Sequence, residues 1–523
     1  MYEIFDNMCG IVGLKGEFNQ DDIISMMEII KTRGMDSHGF YLKNQNNTVY
    51  NNNFNLSNFV SDNNIYNIGI GHNLLSIFNF NYDDNCLNLQ PLVYNNLVLA
   101  FNGEIYNFNE VLDFLISNSY DIDPKNDCEL LINLLHYYFN KEHNLLTAVE
   151  HTNNIINGDY VYSIFDGENI AVSRDKIGVK PLFYGERKGL QAFASERKSL
   201  WKVNITNIKT LAPGYILYNF NLHSPKNLIY DYHYDKNYKY TEYLHHLDIY
   251  LNNSVKDRIK NINNIALIFS GGIDSTLLLY YILDNLEEQQ NITLYTVGNK
   301  DSMDLKYAKN ISKSLNLNLR YYIVDEDTVW NCLDSTLLAI EDANLMKLGV
   351  GMTLFIASHM IHEDNIKVAL SGQGADELFA GYKRYLSTFK QGYIRDDGIR
   401  YTDFQAVEFE LREDIKNIYH VNLERDDAVT MANGIELRVP FLSEEVVKLS
   451  LNIPAKYKIK NEDDDIRKNI LRDLASKKGL PDSIAYRNKK AAQYGSGIDK
   501  ILRKKILKEI NLNEYYNKLV ETI

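Results

Sequence analysis

The chain has 523 residues, 45% of them hydrophobic and 24% charged, with a formal net charge of −14. That length exceeds one ordinary core, so two domains are expected, and the composition is that of a globular protein. The negative balance speaks against a nucleic-acid partner, no stretch reaches the roughly 20 apolar residues of a membrane span, and MYEIFDN lacks the basic-then-apolar order of a secretion signal.

In chain order, IISMMEIIKTRG carries apolar residues on one helical face, with Asp21 and Asp22 ahead of it and Gly34 as its stop. The asparagine-rich NQNNTVYNNNFNLSN has no apolar period and reads as loop. NLVLAFNG and DYVYSIFDG read as strands closed by turn residues, ELLINLLHYYF as a buried helix, and PLFYGERKGLQAFAS as a hairpin. The pattern dissolves in the Tyr-rich NFNLHSPKNLIYDYHYDKNYKY, which predicts a first domain over 9–220, a linker over 221–242 and a second domain over 243–510. There the rhythm becomes strand–loop–helix: IALIFSGG before STLLLYYILDNL, ITLYTVG before DLKYAKNISKSLNL, then IKVALSGQG before another helix. Strands apolar throughout and alternating with helices predict a doubly wound parallel sheet, with ligands at the carboxyl ends of its strands. The tail beyond Lys500 reads as amphipathic helix.

Two glycine loops fall at those strand ends. In SGGIDS (Ser270, Gly271, Gly272, Ile273, Asp274, Ser275) the glycines let backbone N–H groups approach an anion, and a helix expected from Thr276 adds its positive end. No Gly-Lys-Ser/Thr occurs, and the acid Asp274 suits a Mg²⁺ ion bridging phosphate oxygens; a plain turn is the alternative. SGQGADE repeats the logic with Ser371, Gly372, Gln373, Gly374, Asp376 and Glu377, so two acids on neighbouring strand ends can share one metal. The bland alternative is a helix cap at Asp376 with Glu377 in solvent.

SGGIDS, SGQGADELFAGYKRY, ERDDAVTMANGIELRVPFL and YRNKKAAQYGSG together resemble the synthetase domain of glutamine-hydrolysing asparagine synthetases, and MCGIVG resembles the start of that family's amidotransferase domain. The resemblance spans Met8 to about Lys500. It implies an N-terminal Ntn-hydrolase four-layer αββα sandwich and a C-terminal pyrophosphate-loop α/β domain in a cytoplasmic enzyme, with a homodimer as a possible assembly. It implies ATP as co-substrate, Mg²⁺ as cofactor, and glutamine and aspartate as substrates, with no nucleic acid or membrane as partner. By the same resemblance Ser270–Ser275 hold the pyrophosphate part of ATP, Phe269, Val297, Ser371 and Gly372 line the nucleotide pocket, and Asp274 and Asp376 bind Mg²⁺. Gln373 stands at the position that forms the intermediate, where bacterial relatives carry glutamate. Lys489 matches a lysine that stabilises charge as the adenylate forms. Glu436 and Arg438 read as a structural ion pair.

At the front, Cys9 matches a nucleophile whose own α-amine, of pKa roughly 7.7–8.0, takes the thiol proton. That chemistry needs Cys9 as first residue. Either translation starts at Met8, or MYEIFDNM is removed, or glutaminase activity is absent. Cys86, Cys128 and Cys332 read as small buried hydrophobes. Asn102 and Gly103 match an oxyanion hole; Glu104 and Asp127 match residues that recognise glutamine. In GHNLLSI, Leu74 stands where the family has an arginine that clamps the glutamine carboxylate. Its loss removes about 1 kcal/mol or more, on the order of tenfold in affinity, unless Asn73 or Arg33 compensates. Asn422 replaces a further acid, leaving the acceptor open: a different carboxylate, or a non-catalytic glutamine- or nucleotide-binding regulator, are the alternatives. The resemblance implies that ammonia freed at Cys9 passes, shielded from water, to an acyl-adenylate in the second domain.

Overall fold

A computed structural model describes residues 7–56, 62, 64–77, 89–233, 238–395, 397–487 and 496–523. The chain divides into two units. The first holds residues up to Lys226 with Met431–Gly434 and Thr522–Ile523, and the second holds Asn227–Thr430 and Ile435–Glu521.

The first unit follows from strands whose two faces are both apolar. Along β1 (Asn7–Asn19), Val12 and Leu14 join a core with Ile23, Met26 and Met27 of α1 (Gln20–Glu28), while Ile11, out of phase by one, joins a different core. β2 (Ser37–Lys43), β3 (Thr48–Phe54) and β4 (Ile65–Ser76) extend this layer by antiparallel pairing. β5 (Leu92–Tyr94) pairs with β6 (Leu97–Ile105), where Leu97, Leu99 and Phe101 face α2 (Phe108–Ser117), α3 (Asp127–Glu142) and α4 (Leu145–Ile155). Val98 and Ala100 turn instead to the core that holds Ile11. The same alternation divides Tyr160, Tyr162 and Ile164 from Val161 and Phe165 in β7 (Gly158–Phe165), and Ala171 from Ile170 and Val172 in β8 (Ile170–Arg174). The hairpin β9 (Phe183–Arg187) and β10 (Leu190–Ala194), then α5 (Arg197–Lys202), close the layer around β1. Short β11 (Ile208–Thr210), β12 (Ile216–Tyr218) and β13 (Asn221–His223) complete the edges. Three cores thus separate four layers, helix–strand–strand–helix, the αββα arrangement expected.

The second unit opens with α6 (Tyr240–Ile259). Its sheet is parallel throughout, in the order β16-β15-β14-β17-β20, where β14 is Asn264–Ile268, β15 Asn291–Gly298, β16 Asn318–Ile323, β17 Val368–Leu370 and β20 Glu436–Arg438. α7 (Ile273–Asn285) follows β14, α8 (Met303–Ser314) follows β15, and α9 (Glu326–Ile340) with α10 (Leu345–Glu363) follow β16. The chain runs outward from β14 to β16, then returns to lay β17 on the other side of β14. β14 and β17 therefore flank the switch in strand order, where the loops after both strands open onto one crevice. By length and composition α10 passes as a membrane span, but half of it is buried within the fold and it packs against β15. It is a core helix. After β17 come α11 (Ala375–Leu378), α12 (Arg384–Gln391), the hairpin β18 (Tyr393–Ile394) and β19 (Arg400–Tyr401), α13 (Asp403–Ile418), α14 (Glu424–Met431), α15 (Glu444–Asn452) and α16 (Asn469–Lys477). On β20, Arg438 Nε donates to Glu436 Oε1 at 3.0 Å with both side chains buried, and Arg438 Nη1 donates to the Arg258 carbonyl at 2.8 Å, a structural pair.

Candidate active sites

In the first unit, Cys9 lies fully buried on β1, directly across from Leu74 of β4. Its amide donates to Asn102 Oδ1 at 3.2 Å. The other end of that amide, Asn102 Nδ2, is buried and makes no hydrogen bond among the described residues. An N–H donor left over beside a thiol is what a developing oxyanion requires. Gly103 follows with φ +154, and a Cβ there would sit 2.3 Å from the Asp159 carbonyl oxygen, so only glycine lets β6 pass β7 at this point. Next to it Glu104 is buried, and Asp127 Oδ2 accepts from the Ile105 amide at 2.6 Å. Asp127 opens α3, capped by Asn126, whose side chain accepts from the Glu129 amide at 2.8 Å. Cys9, Leu74, Asn102 and Gly103 therefore meet where β1, β4 and β6 converge.

Two details qualify the sequence reading. β1 begins before Cys9: Met8 pairs with Leu75, and Asn7 pairs with both Ser76 and Gly103. In the full chain the Cys9 nitrogen is a peptide amide, and Asn7, two residues before it, lies beside Gly103. Of the two residues considered as a substitute for the missing arginine, Arg33 reaches the nucleophile's own residue, its Nε donating to the Cys9 carbonyl at 3.5 Å. Arg33 is fully buried, with Nη1 on Glu196 Oε1 at 3.0 Å; Asn73 Oδ1 contacts His38 Nδ1 at 3.0 Å and its Nδ2 donates to the Met27 carbonyl at 2.9 Å. Glu196, also paired with Lys198, stays ionised below the usual carboxylate range because those two cations outweigh its burial.

In the second unit the two glycine loops share one cavity of about 780 Å³. Phe269, Ser270, Gly272, Asp274, Ser275, Val297, Ser371, Gly372, Gln373 and Asp376 all line it. The helix after the first loop begins at Ile273 rather than Thr276, which places Asp274 in its first turn. Gly271, at φ +63, lies beneath the loop: a Cβ would meet Tyr307 Cβ at 2.9 Å, and its carbonyl accepts from Arg487 Nη1 at 3.0 Å. Arg487 also grips Asp304 at 2.6 Å and stacks on Tyr307, so it braces the loop from behind. Ser270 Oγ and Ser275 Oγ lie 3.3 Å apart across the turn. A Cβ on Gly372 would fall 3.0 Å from Asp274 Cβ, so glycine allows the second loop to close on the first.

Asp274 and Asp376 are joined by a residue the motifs did not flag. Lys468 Nζ donates to Asp274 Oδ1 at 2.7 Å and lies 2.8 Å from Asp376 Oδ1, the latter contact an ion pair without hydrogen-bond alignment. An ammonium held between two carboxylates stands in for a cation, and the pair fits Mg²⁺. Among the described residues no group of three or more His, Cys, Asp or Glu converges on one point. A metal held by this pair would need further oxygen ligands from outside the two side chains.

The helix-cap alternative for Asp376 does not hold: Gly374, at φ +90, caps α11. Nor is Glu377 in solvent. It is 3% exposed, and its Oε1 accepts from Tyr382 Oη at 2.6 Å and Asn422 Nδ2 at 2.7 Å. Glu377, Tyr382, Asn422, Arg384 and Arg425 continue the cavity beyond Gln373. Lys489 and Cys86 lie outside the described residues. Cys128 is buried, which pushes its thiol pKa up, whereas Cys332 on α9 is only half-buried.

Against known proteins, the asparagine synthase family profile matches residues 246–397 and 400–514, and the glutamine amidotransferase domain profile matches 72–202. A Methanocaldococcus jannaschii protein assigned as asparagine synthetase [glutamine-hydrolyzing] 1 is 37% identical over 551 aligned positions, covering 95% of each chain. The human asparagine synthetase [glutamine-hydrolyzing] is 25% identical over 464, covering 82% of this chain and 77% of its own. The two profiles, on this fold, define a two-unit protein that joins an amidotransferase domain to an ATP-pyrophosphatase-type synthetase domain. The chain belongs to the glutamine-hydrolysing asparagine synthetase family.

Proposed function

We propose that this chain makes asparagine from aspartate, ATP, glutamine and water, releasing AMP, pyrophosphate and glutamate, through a β-aspartyl adenylate. The observation that carries this reading is the meeting of two acid-bearing glycine loops about one cation at the switch point of a parallel sheet.

Backbone N–H groups of Ser270–Ser275 and the start of α7 bind the polyphosphate, with Phe269, Val297, Ser371 and Gly372 around the nucleotide. Asp274 and Asp376 would hold Mg²⁺, which when bound neutralises phosphate charge. Attack of the aspartate β-carboxylate on the α-phosphorus forms the acyl–phosphate bond and expels pyrophosphate; ammonia then displaces AMP. Lys489 balances the negative charge that grows in both steps. In the first unit Cys9, once its amine is free, attacks the glutamine amide, Asn102 Nδ2 and Gly103 N–H stabilise the oxyanion, Glu104 and Asp127 hold the amino-acid end, a thioester forms as ammonia leaves, and water hydrolyses it to glutamate and the free thiol. Leu74 supplies no charge to the glutamine carboxylate, which favours a raised KM for glutamine.

Asp274→Ala is expected to abolish pyrophosphate release with glutamine or ammonium while leaving glutamine hydrolysis intact; undiminished release removes Asp274 from the metal site. A second reading, adenylation of another carboxylate, is favoured by Gln373 and by Asn422, which spends its amide on Glu377. Pyrophosphate release supported by a different acid, with none supported by aspartate, selects it.

A further inference from the structure

Lys468 is 1% exposed, and it sits at the head of α16 with φ +55, directly after Arg467 with φ +53. Two successive non-glycine residues in the left-handed region are strained and persist only where the surroundings over-determine them. They are over-determined here. The Arg467 amide donates to Asp464 Oδ1 at 3.0 Å, Arg467 Nε donates to the Gly381 carbonyl at 3.1 Å, and Arg472 Nε donates to the Arg467 carbonyl at 2.6 Å. The outcome of this strain is an ammonium aimed between Asp274 and Asp376. Gly381 makes room for it: a Cβ there would fall 1.8 Å from Asp376 Oδ1 and 2.2 Å from Lys468 Cε.

We propose that Lys468 is a resident counter-ion that makes divalent-cation binding depend on nucleotide. With Lys468 in place the carboxylate pair carries a net charge of about −1, so a lone divalent cation would leave the three groups at about +1 and set like charges beside the buried ammonium, an unfavourable state. The phosphates of ATP reverse that sign and supply the ligands the two aspartates do not. Metal and nucleotide are thereby coupled, and the coupling is reciprocal.

The inference rests on the reading of this cavity as an ATP site, and the test separates the two. Binding of Mn²⁺ to nucleotide-free protein, followed by electron paramagnetic resonance, is expected to be weak in the wild type and roughly tenfold to hundredfold tighter in Lys468→Met. Lys468→Arg, which keeps the charge, should resemble the wild type. Equal or weaker Mn²⁺ binding by Lys468→Met overturns the proposal. Tight Mn²⁺ binding by the nucleotide-free wild type overturns it too, and this measurement needs no variant to fold. Equilibrium binding of radiolabelled ATP to the wild type with Mg²⁺ is the second arm: its absence defeats the ATP site itself, whereas its presence beside unchanged Mn²⁺ affinity defeats only the role of Lys468.

Discussion

At the scale of single residues, the first site is governed by burial. His72 lies two positions before Leu74 on β4, fully buried, and its Nε2–H donates to the Phe101 carbonyl at 3.2 Å, immediately before Asn102. Nδ1 makes no hydrogen bond among the described residues. Burial drives the pKa from 6.5 down to about 3, with the Phe101 bond opposing it, so the ring is neutral. A folded-state pKa below the unfolded one gives stability that is fully present above about 6.5 and is lost as the pH falls toward 3, because only the unfolded chain takes up the proton. His72→Gln, which can keep the bond to Phe101, should lose less thermal stability between pH 7 and pH 5 than the wild type. Equal losses would show that His72 does not carry the acid sensitivity. GHNLLSI exposes the absent arginine at a glance, but the histidine's role shows only once Phe101 is beside it. Lys468 is harder still. It stands 194 residues from Asp274 in an ordinary basic run, IRKNILRD, and nothing local marks it.

At the scale of elements, periodicity told strand from helix wherever a face is apolar and failed where neither face is. β3 lies within the asparagine-rich stretch expected to be loop, yet Thr48–Phe54 pairs along β2. It is an edge strand, and its residues are exposed or only partly buried throughout, so no apolar period exists to read. α1 likewise starts earlier than expected: Asn19 caps it in a reciprocal box with Asp22, so both acids lie inside its first turn. α3 was legible as a buried helix, and its cap matters to chemistry, because Asn126 fixes the turn that offers Asp127 to the Ile105 amide. Asn126→Ala is expected to cost about 1 kcal/mol of stability and to raise the KM for glutamine while leaving ammonium-driven turnover unchanged. Lowered stability with an unaltered KM would mean that the cap serves the fold alone.

At the scale of the whole molecule, the two halves answer to different patterns. Strands with two apolar faces out of phase build the αββα unit; strands apolar throughout, alternating with helices, build the parallel one. The parallel class was visible in the alternation of strand and helix, the αββα class only through the family resemblance of MCGIVG, and the glycine loops that the second fold brings to a single cavity were visible too. The burial of Glu377 between Tyr382 and Asn422 was not, since it depends on a helical segment, Tyr419–Leu423, some 45 residues further along the chain. The division of labour between the halves is tested most directly by comparing wild type with Cys9→Ala, using wild-type protein whose mass shows Cys9 as first residue. Asparagine and pyrophosphate are measured with MgATP and aspartate, supplying either glutamine or ammonium. The variant should form neither product from glutamine and both from ammonium, in equal amounts and only when aspartate is present. Equal loss with both nitrogen donors, or pyrophosphate formed without regard to aspartate, would contradict the account.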